Sequence, residues 1–107
     1  MLYELRVYDI MPGKMADINA RFANVTTKMF AKHGIRVVGF WDNVVGPSNQ
    51  LIYMLAWESL AEREQKWNVF MVDPEWLQAR AASEENGPLV ARATNTILRP
   101  TPYSPMQ

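Results

Sequence analysis

The side chains best suited to proton transfer in this chain are His33 and Tyr53. His33 is the only histidine, and an imidazole titrates near neutrality, so it can act as a base or an acid. His33 also has a structural interpretation, because it precedes Gly34 at the predicted end of a helix, where an imidazolium interacts favourably with the helix dipole. We favour this helix-end role, and keep His33 and Tyr53 as candidate catalytic residues should the protein be an enzyme.

Five large aromatic side chains could line a pocket between a sheet and its helices. They are Trp41, Tyr53, Trp57, Trp67 and Trp76. Small-molecule pockets are mostly apolar, with a few placed polar groups. We therefore predict a small hydrophobic ligand with Trp41, Trp57 and Trp67 at its sides. Packing of the core is the alternative use of these rings, and the sequence is compatible with both.

A polar row on the first predicted strand is a further candidate site. Glu4, Arg6 and Tyr8 alternate with apolar residues and therefore share one face of the strand. Asp42, on a later strand, is a possible partner for them. We expect this network to lie in an interface between two chains, where it would fix their register. A polar pocket is the alternative.

Several other classes of site lack the residues that they require. The chain has one histidine and no cysteine, so we predict no metal site and no cofactor. Eleven basic and eleven acidic side chains balance, which leaves no positive surplus for binding nucleic acid. The apolar runs are too short for a membrane span, and the N-terminal residues do not have the layout of a signal peptide. We therefore predict a cytoplasmic location.

The spacing of apolar residues predicts the elements that position these side chains. The predicted order is strand 2–9, helix 15–33, strand 35–45, strand 51–57, a helix capped by Ser59, a helix capped by Asp73, and strand 92–98. This is a β-α-β-β-α-β order with a split second helix, which is typical of a ferredoxin-like α+β fold with a four-stranded antiparallel sheet. Residues 1–99 form the predicted domain, and residues 100–107 form a Pro-rich extended tail.

Two predicted strands are apolar on both of their faces. Between residues 51 and 57, Leu51, Tyr53, Leu55 and Trp57 alternate with Ile52, Met54 and Ala56. The helices of one chain can cover only one face of the sheet, and a large exposed apolar face is a liability. Since most soluble oligomers are symmetric homo-oligomers, we predict a homodimer whose sheets pack face to face or close into a barrel.

Four sequence blocks carry a resemblance to a known family. They are YELRVYDIMPGKM, VVGFWDNVVGPSNQLIYMLAWESLAEREQKW, DPEW and ILRPTPYSP. In this order and spacing the blocks resemble the NIPSNAP family over nearly the whole chain. The resemblance implies a dimeric α+β barrel, in which two ferredoxin-like chains join their sheets.

The resemblance says less about activity. Most proteins similar to this one have no assigned reaction, and families on the same fold include cofactor-independent monooxygenases, small-molecule isomerases and cyclases, and haem-dependent chlorite dismutases. We predict a NIPSNAP-like homodimer that binds a small hydrophobic molecule between sheet and helices. A cofactor-independent monooxygenase, isomerase or cyclase is one alternative, and a non-catalytic protein-binding scaffold is another.

Overall fold

Four antiparallel strands form a single sheet in the computed structural model, which describes residues 1–107. The strands are β1 (Leu2–Ile10), β2 (Arg36–Asp42), β3 (Gln50–Trp57) and β4 (Val90–Leu98). Their order across the sheet is β2-β3-β1-β4, so the first strand lies between the third and the last. The ferredoxin-like α+β arrangement predicted from the sequence is confirmed.

The helices pack on one face of this sheet. They are α1 (Met15–Arg21), α2 (Thr27–Lys32), α3 (Leu60–Met71) and α4 (Pro74–Ser83). A π-helical turn, Phe22–Thr26, joins α1 to α2, so the predicted first helix is continuous. The predicted split second helix corresponds to α3 and α4. None of the helices has the length and apolar character needed to cross a membrane.

Capping residues determine where α3 and α4 begin. The backbone N–H of Glu62 donates to Oγ of Ser59 at 3.1 Å, which satisfies a free donor in the first turn of α3. The backbone N–H of Glu75 donates to Oδ1 of Asp73 at 2.9 Å in the same way. Pro74 occupies the first turn of α4, where its missing N–H is not needed.

The core lies between the sheet and the helices. β3 contributes alternate residues that are almost fully buried, and the helices contribute the rings and aliphatic chains opposite them. The largest of these side chains are Trp57, Tyr53, Phe30, Phe70, Ile18, Leu55 and Leu89. Because Arg6 pairs with Tyr53 across the β1–β3 register, the even-numbered residues of β1 also point to the helices.

The opposite face of the sheet, which we call the open face, has no helix on it. Its residues are mostly apolar and are partly exposed. Over most of the face they are Tyr3, Leu5, Val7, Trp41, Ile52, Met54, Thr94, Thr96 and Leu98, together with the largely buried Ala56. The register also places polar and charged side chains toward its ends, namely Arg36 at one end and Asp9, Gln50 and Arg92 at the other. The row on β3 matches the second apolar face that the sequence indicated.

The C-terminal residues 100–107 fold over one end of the open face. The hydroxyl of Tyr3 donates to the carbonyl of Gln107 at 2.7 Å. The side-chain amide of Gln107 donates to the carbonyls of Thr101 at 2.9 Å and Ser104 at 2.5 Å. The segment is therefore folded back on itself in turns, whereas the sequence predicted an extended tail.

An irregularity in β2 decides which way Trp41 points. Val37 pairs with Leu55, but Gly39 pairs with Met54, so Val38 is an extra residue and the alternation of faces changes there. Trp41 consequently lies on the open face and is 49% exposed. This corrects the expectation that Trp41 forms a wall between the sheet and the helices.

Candidate functional site

A cavity of about 450 Å³ lies between the helices and the sheet. Seven aromatic rings form a large part of its wall. The rings are those of Tyr8, Phe22, Phe30, Tyr53, Trp67, Phe70 and Trp76. Ala93 and Asn95 of β4 also line the cavity, and both are exposed, so it opens to solvent along this edge strand. A cavity of this size and character suits a small, largely apolar ligand.

The π-helical turn forms part of the cavity wall. Phe22 and Thr26, the first and last residues of the turn, both line the cavity. The hydroxyl of Thr26 donates to the carbonyl of Arg21 at 3.4 Å, which provides that carbonyl with a side-chain partner. Such turns inside α-helices are frequent at functional sites.

Arg6 and two tyrosines form a hydrogen-bonded cluster in the wall. Nε of Arg6 donates to Oη of Tyr53 at 2.6 Å, and Nη2 donates to Oη of Tyr8 at 3.2 Å. The two phenolic oxygens are 2.7 Å apart, and the bond between them uses one of their two hydrogens. The other phenolic hydrogen is left for an acceptor in the cavity. The cluster can therefore hold a carbonyl or carboxylate oxygen of a ligand.

Burial keeps the Tyr53 hydroxyl protonated over a wider pH range than that of an exposed tyrosine, because it raises the pKa. The residue is 1% exposed. Burial and the neighbouring Tyr8 raise the pKa of its hydroxyl well above the ordinary value, against the opposing effect of Arg6. At neutral pH Tyr53 is a phenol that can donate a hydrogen bond. As a candidate catalytic residue it suits the role of a donor to a ligand oxygen rather than that of a base.

Glu4 is the buried counter-ion of Arg6. The Glu4 carboxylate is 0% exposed, and it accepts hydrogen bonds from Arg6 at 2.7 Å, Arg63 at 2.7 Å and Trp57 at 3.0 Å. Burial on its own would raise the pKa of Glu4, but the hydrogen bond from Arg63 and the charge of Arg6 hold it below the ordinary value. An ionised carboxylate therefore stays beside Arg6.

The row of Glu4, Arg6 and Tyr8 faces the helices. The guanidinium carbon of Arg6 lies 4.4 Å from the ring centre of Trp67 on α3. Asp42 is exposed and makes no hydrogen bond to the row. These positions correct the prediction that Glu4, Arg6, Tyr8 and Asp42 form a polar network in a dimer interface. Arg6 and Tyr8 line the cavity between the sheet and the helices instead. Alternation along the strand predicts that the residues share a face, but not which way that face points.

Only one of the three predicted wall tryptophans lines the cavity. Trp67 does so. Trp57 is 1% exposed and packs in the core, with its Nε1 donating to Glu4, and Trp41 lies on the open face. Trp76 of α4, which the sequence placed in the wider aromatic set, lines the cavity as well.

His33 lies outside the cavity, at the C-terminal end of α2. Its Nε2 donates to Oδ2 of Asp73 at 2.7 Å, and Nζ of Lys32 donates to the same oxygen at 2.8 Å. Gly34 follows with φ 68°, a conformation that glycine adopts at little cost. The structure thus places His33 at the helix end, with its ring hydrogen-bonded to Asp73 and away from the cavity.

Asp73 links the end of α2 to the start of α4, and we expect this link to depend on pH. The hydrogen bond from Lys32 is the main cause that lowers the pKa of Asp73 from 3.8 to about 2. A pKa lowered in the folded state adds stability that is present above 3.8 and is lost as the pH falls toward about 2. As the pH is lowered between these two values, the Tm of the Asp73→Asn variant should therefore fall less than the Tm of the wild type.

Glu75→Gln is the matched control for Asp73→Asn. It also removes a carboxylate that contacts Lys32, at 3.0 Å, but this carboxylate is largely exposed. We expect Glu75→Gln to keep the acid-dependent loss of the wild type. Parallel pH profiles of the wild type and Asp73→Asn would contradict the assignment.

The sequence did not single out the polar residues that α1 and α4 bring to the cavity. Arg21, Arg80 and Glu84 line it and come from segments far apart in the chain. Their clustering depends on the packing of two helices, and no local spacing signals it. Across residues 1–107, no group of three or more His, Cys, Asp or Glu side chains is placed to hold a metal ion.

The fold and sequence match one family and several solved structures. The NIPSNAP family profile matches residues 3–105. A NIPSNAP family protein of unknown function from Agrobacterium tumefaciens is 26% identical, with a TM-score of 0.87, and the match covers 100% of this chain and 94% of that one. A second NIPSNAP family protein from the same organism is 25% identical, with a TM-score of 0.88 over 99% of this chain and 98% of that one.

A more distant structure shares the fold alone. An antibiotic biosynthesis monooxygenase is 10% identical, with a TM-score of 0.65 over 95% of this chain and 100% of that one. No curated protein sequence matches the chain. The family match covers almost all residues, and the two NIPSNAP family structures match the chain over 94% and 98% of their own length. The protein therefore belongs to the NIPSNAP family.

Proposed function

We propose that the protein binds a small, largely apolar molecule in the cavity between the sheet and the helices. The observation that carries the proposal is an aromatic cavity of about 450 Å³ whose wall contains a polar cluster. A cavity this large beside ordered hydrogen-bond donors has the character of a binding site.

The Arg6 cluster supplies the orienting group of this site. Its two tyrosine oxygens accept from Arg6 and leave one phenolic hydrogen for the cavity. Because Glu4 neutralises Arg6 from within the protein, the ligand does not need to provide a counter-ion at this point. An aromatic compound with a carbonyl oxygen has matching properties, since its ring suits the walls and its oxygen suits the phenol.

Thermal unfolding in the presence of small aromatic carbonyl compounds tests the proposal. A ligand that binds only the folded state stabilises it by about 2.7 kcal/mol when its free concentration is about a hundred times Kd. We expect a clear rise in Tm together with quenching of tryptophan fluorescence, because Trp67 and Trp76 line the cavity. Absence of both signals across the set would remove the support for a binding function.

A variant that fills the cavity shows whether binding occurs there. Ala93→Phe places a ring at the opening along β4, and we expect it to abolish the rise in Tm. Ala91→Phe is the matched control, since Ala91 lies on the same strand but does not line the cavity. Equal loss in both variants, or in neither, would contradict the location of the site.

The compounds that bind in these experiments also serve to separate a binding protein from an enzyme. The leftover phenolic hydrogen could stabilise charge on a carbonyl oxygen, as an isomerase, a cyclase or a cofactor-independent monooxygenase requires. Conversion of the bound compound, followed by NMR, would favour such an enzyme. A compound that binds and is recovered unchanged would favour a binding module, and a protein that binds none would favour a scaffold.

We further infer that the protein is a homodimer joined through the open face. The feature that supports this is a mostly apolar surface on which Trp41 is 49% and Leu98 is 39% exposed. Residues 100–107 lie beside Tyr3, which donates to Gln107, and line a shallow pocket together with Tyr3 and Met54. A second copy could cover the remainder of the open face and form the α+β barrel that the family resemblance implies.

A further inference from the structure

The chain places more cationic than anionic groups around the cavity. Arg6, Arg21 and Arg80 line it together with a single carboxylate, that of Glu84. Oε1 of Glu84 lies 3.3 Å from Nη1 of Arg21 and 3.8 Å from Nε of Arg80, so two guanidinium groups share this carboxylate. Arg6 shares the Glu4 carboxylate with Arg63, so it too lacks a carboxylate of its own. The local charge balance therefore favours an acidic ligand near Arg21 and Arg80.

Arg21 is the cation with the greatest need of a further partner. The residue is 8% exposed. Its Nη1 donates to Oγ of Ser83 at 3.2 Å and to Glu84 at 3.3 Å, while its Nε is buried and has no partner. Burial lowers the pKa of Arg21 against the opposing effect of Glu84. A buried donor without an acceptor is unfavourable, so an added acceptor here would be stabilising.

Trp76 places a second unpartnered donor beside Arg21. The guanidinium carbon of Arg21 lies 5.5 Å from the ring centre of Trp76. Trp76 is 6% exposed, and its Nε1 is buried without a partner. A buried indole N–H normally finds an acceptor. Two neighbouring side chains that line one cavity thus lack an oxygen acceptor, and a ligand that supplies one has to displace the atoms that now cover both donors.

We propose that the cavity takes an apolar organic acid whose carboxylate is bound by Arg21 and Trp76. This assignment rests on the ligand-binding function proposed above and adds the chemical class of the ligand. A guanidinium presents its donors in a planar fork that fits a carboxylate, and the indole N–H adds a neutral donor. The apolar part of the acid then lies against Phe22, Trp67 and Phe70, which line the same cavity.

Matched pairs of acids and amides test the class of ligand. Isothermal titration calorimetry would compare benzoate with benzamide, and 2-naphthoate with 2-naphthamide, at neutral pH. Each pair has nearly the same shape and differs in charge. Because hydrogen bonds to charged groups are stronger than neutral ones, we expect the acid to bind wild-type protein at least about tenfold more tightly than its amide.

Variants of Arg21 and Trp76 assign this preference to the two donors. In Arg21→Met the acid and the amide should bind with equal affinity, and in Trp76→Phe the preference should fall by several-fold. Lys28→Met is the matched control, because it removes one positive charge from an exposed position outside the cavity and should leave the preference unchanged. A preference that survives in both Arg21→Met and Trp76→Phe would overturn the assignment.

The outcomes separate this inference from the proposed function. If amides bind as tightly as acids, the acid-binding inference fails and the binding function stands. If no member of any pair binds, both fail. Circular dichroism would check the fold of each variant. Should Arg21→Met not fold, Arg21→Lys retains a positive charge without Nε, and it should still reduce the preference measured in the wild type.

Discussion

Replacement of Glu4 by alanine is expected to destabilise the fold by about 3–5 kcal/mol, the usual cost of leaving a buried charge without its partner. Glu4 accepts hydrogen bonds from Arg6, Arg63 and Trp57 and is 0% exposed. Its removal leaves the Arg6 guanidinium in the cavity wall without a counter-charge. Urea unfolding at neutral pH, followed by circular dichroism at one fixed protein concentration, measures the loss.

Two further variants show which part of the Glu4 interaction matters. Glu4→Gln keeps the size and one acceptor oxygen but removes the charge, so its loss should lie between those of the wild type and Glu4→Ala. Arg63→Met removes the more exposed partner of Glu4 and leaves Arg6 paired, so a smaller loss is expected. If Glu4→Ala unfolds within about 1 kcal/mol of the wild type, Glu4 does not have this role.

The second large effect is expected from Ile52→Asp on the open face. Ile52 lies between Val7 and Trp41 in the register, away from residues 100–107. In a dimer formed through this face, symmetry would bury the new carboxylate once in each copy. Burial of an unpaired polar group costs roughly 2–7 kcal/mol, and burial of a charge costs more. Sedimentation should therefore show a folded monomer at concentrations where the wild type is a dimer.

Val44→Asp provides the control for Ile52→Asp. Val44 is 97% exposed in the single chain and lies in the loop between β2 and β3, so an aspartate there leaves the open face unchanged. We expect this variant to have the same molecular mass in solution as the wild type. A wild type that sediments as a monomer would overturn the dimer proposal, as would an Ile52→Asp variant that sediments as a dimer.

The elements were predictable because their signals are local. Apolar spacing gave the helix from residue 15 onward, and Ser59 and Asp73 marked the starts of the next two helices. The order of strands and helices then indicated the ferredoxin-like sheet. Each of these inferences depends on residues close together in the chain.

The direction of β1 could not be read from its sequence. Alternation shows that Glu4, Arg6 and Tyr8 share a face, but the usual rule places the charged row outward and the apolar row inward. In this sheet the two rows point the opposite way, and the apolar row of Tyr3, Leu5 and Val7 lies on the open face. The charged row can be buried because Glu4 pairs with Arg6 and Arg63.

The positions of Trp41 and Arg21 were hidden for different reasons. An extra residue at Val38 changes the face of Trp41, and only the adjacent Gly39 gave a weak signal of such an irregularity. Arg21 looks like an ordinary charged residue on a helix. Its burial results from contact with Ser83 and Glu84, which are distant in sequence. The pairing of β2 with β3 determines the position of Trp41, and the contacts of α1 with Ser83 and Glu84 determine the position of Arg21.

The central position of β1 has a consequence for synthesis of the chain. β1 is made first, but its two neighbours, β3 and β4, come from the middle and the end of the sequence. Until β4 leaves the ribosome, one edge of β1 has no strand to pair with, and an unpaired edge can recruit other chains. β4 also carries Ala93 and Asn95 at the opening of the cavity. In the proposed site, a ligand would therefore stabilise only a chain in which β4 has already joined the sheet.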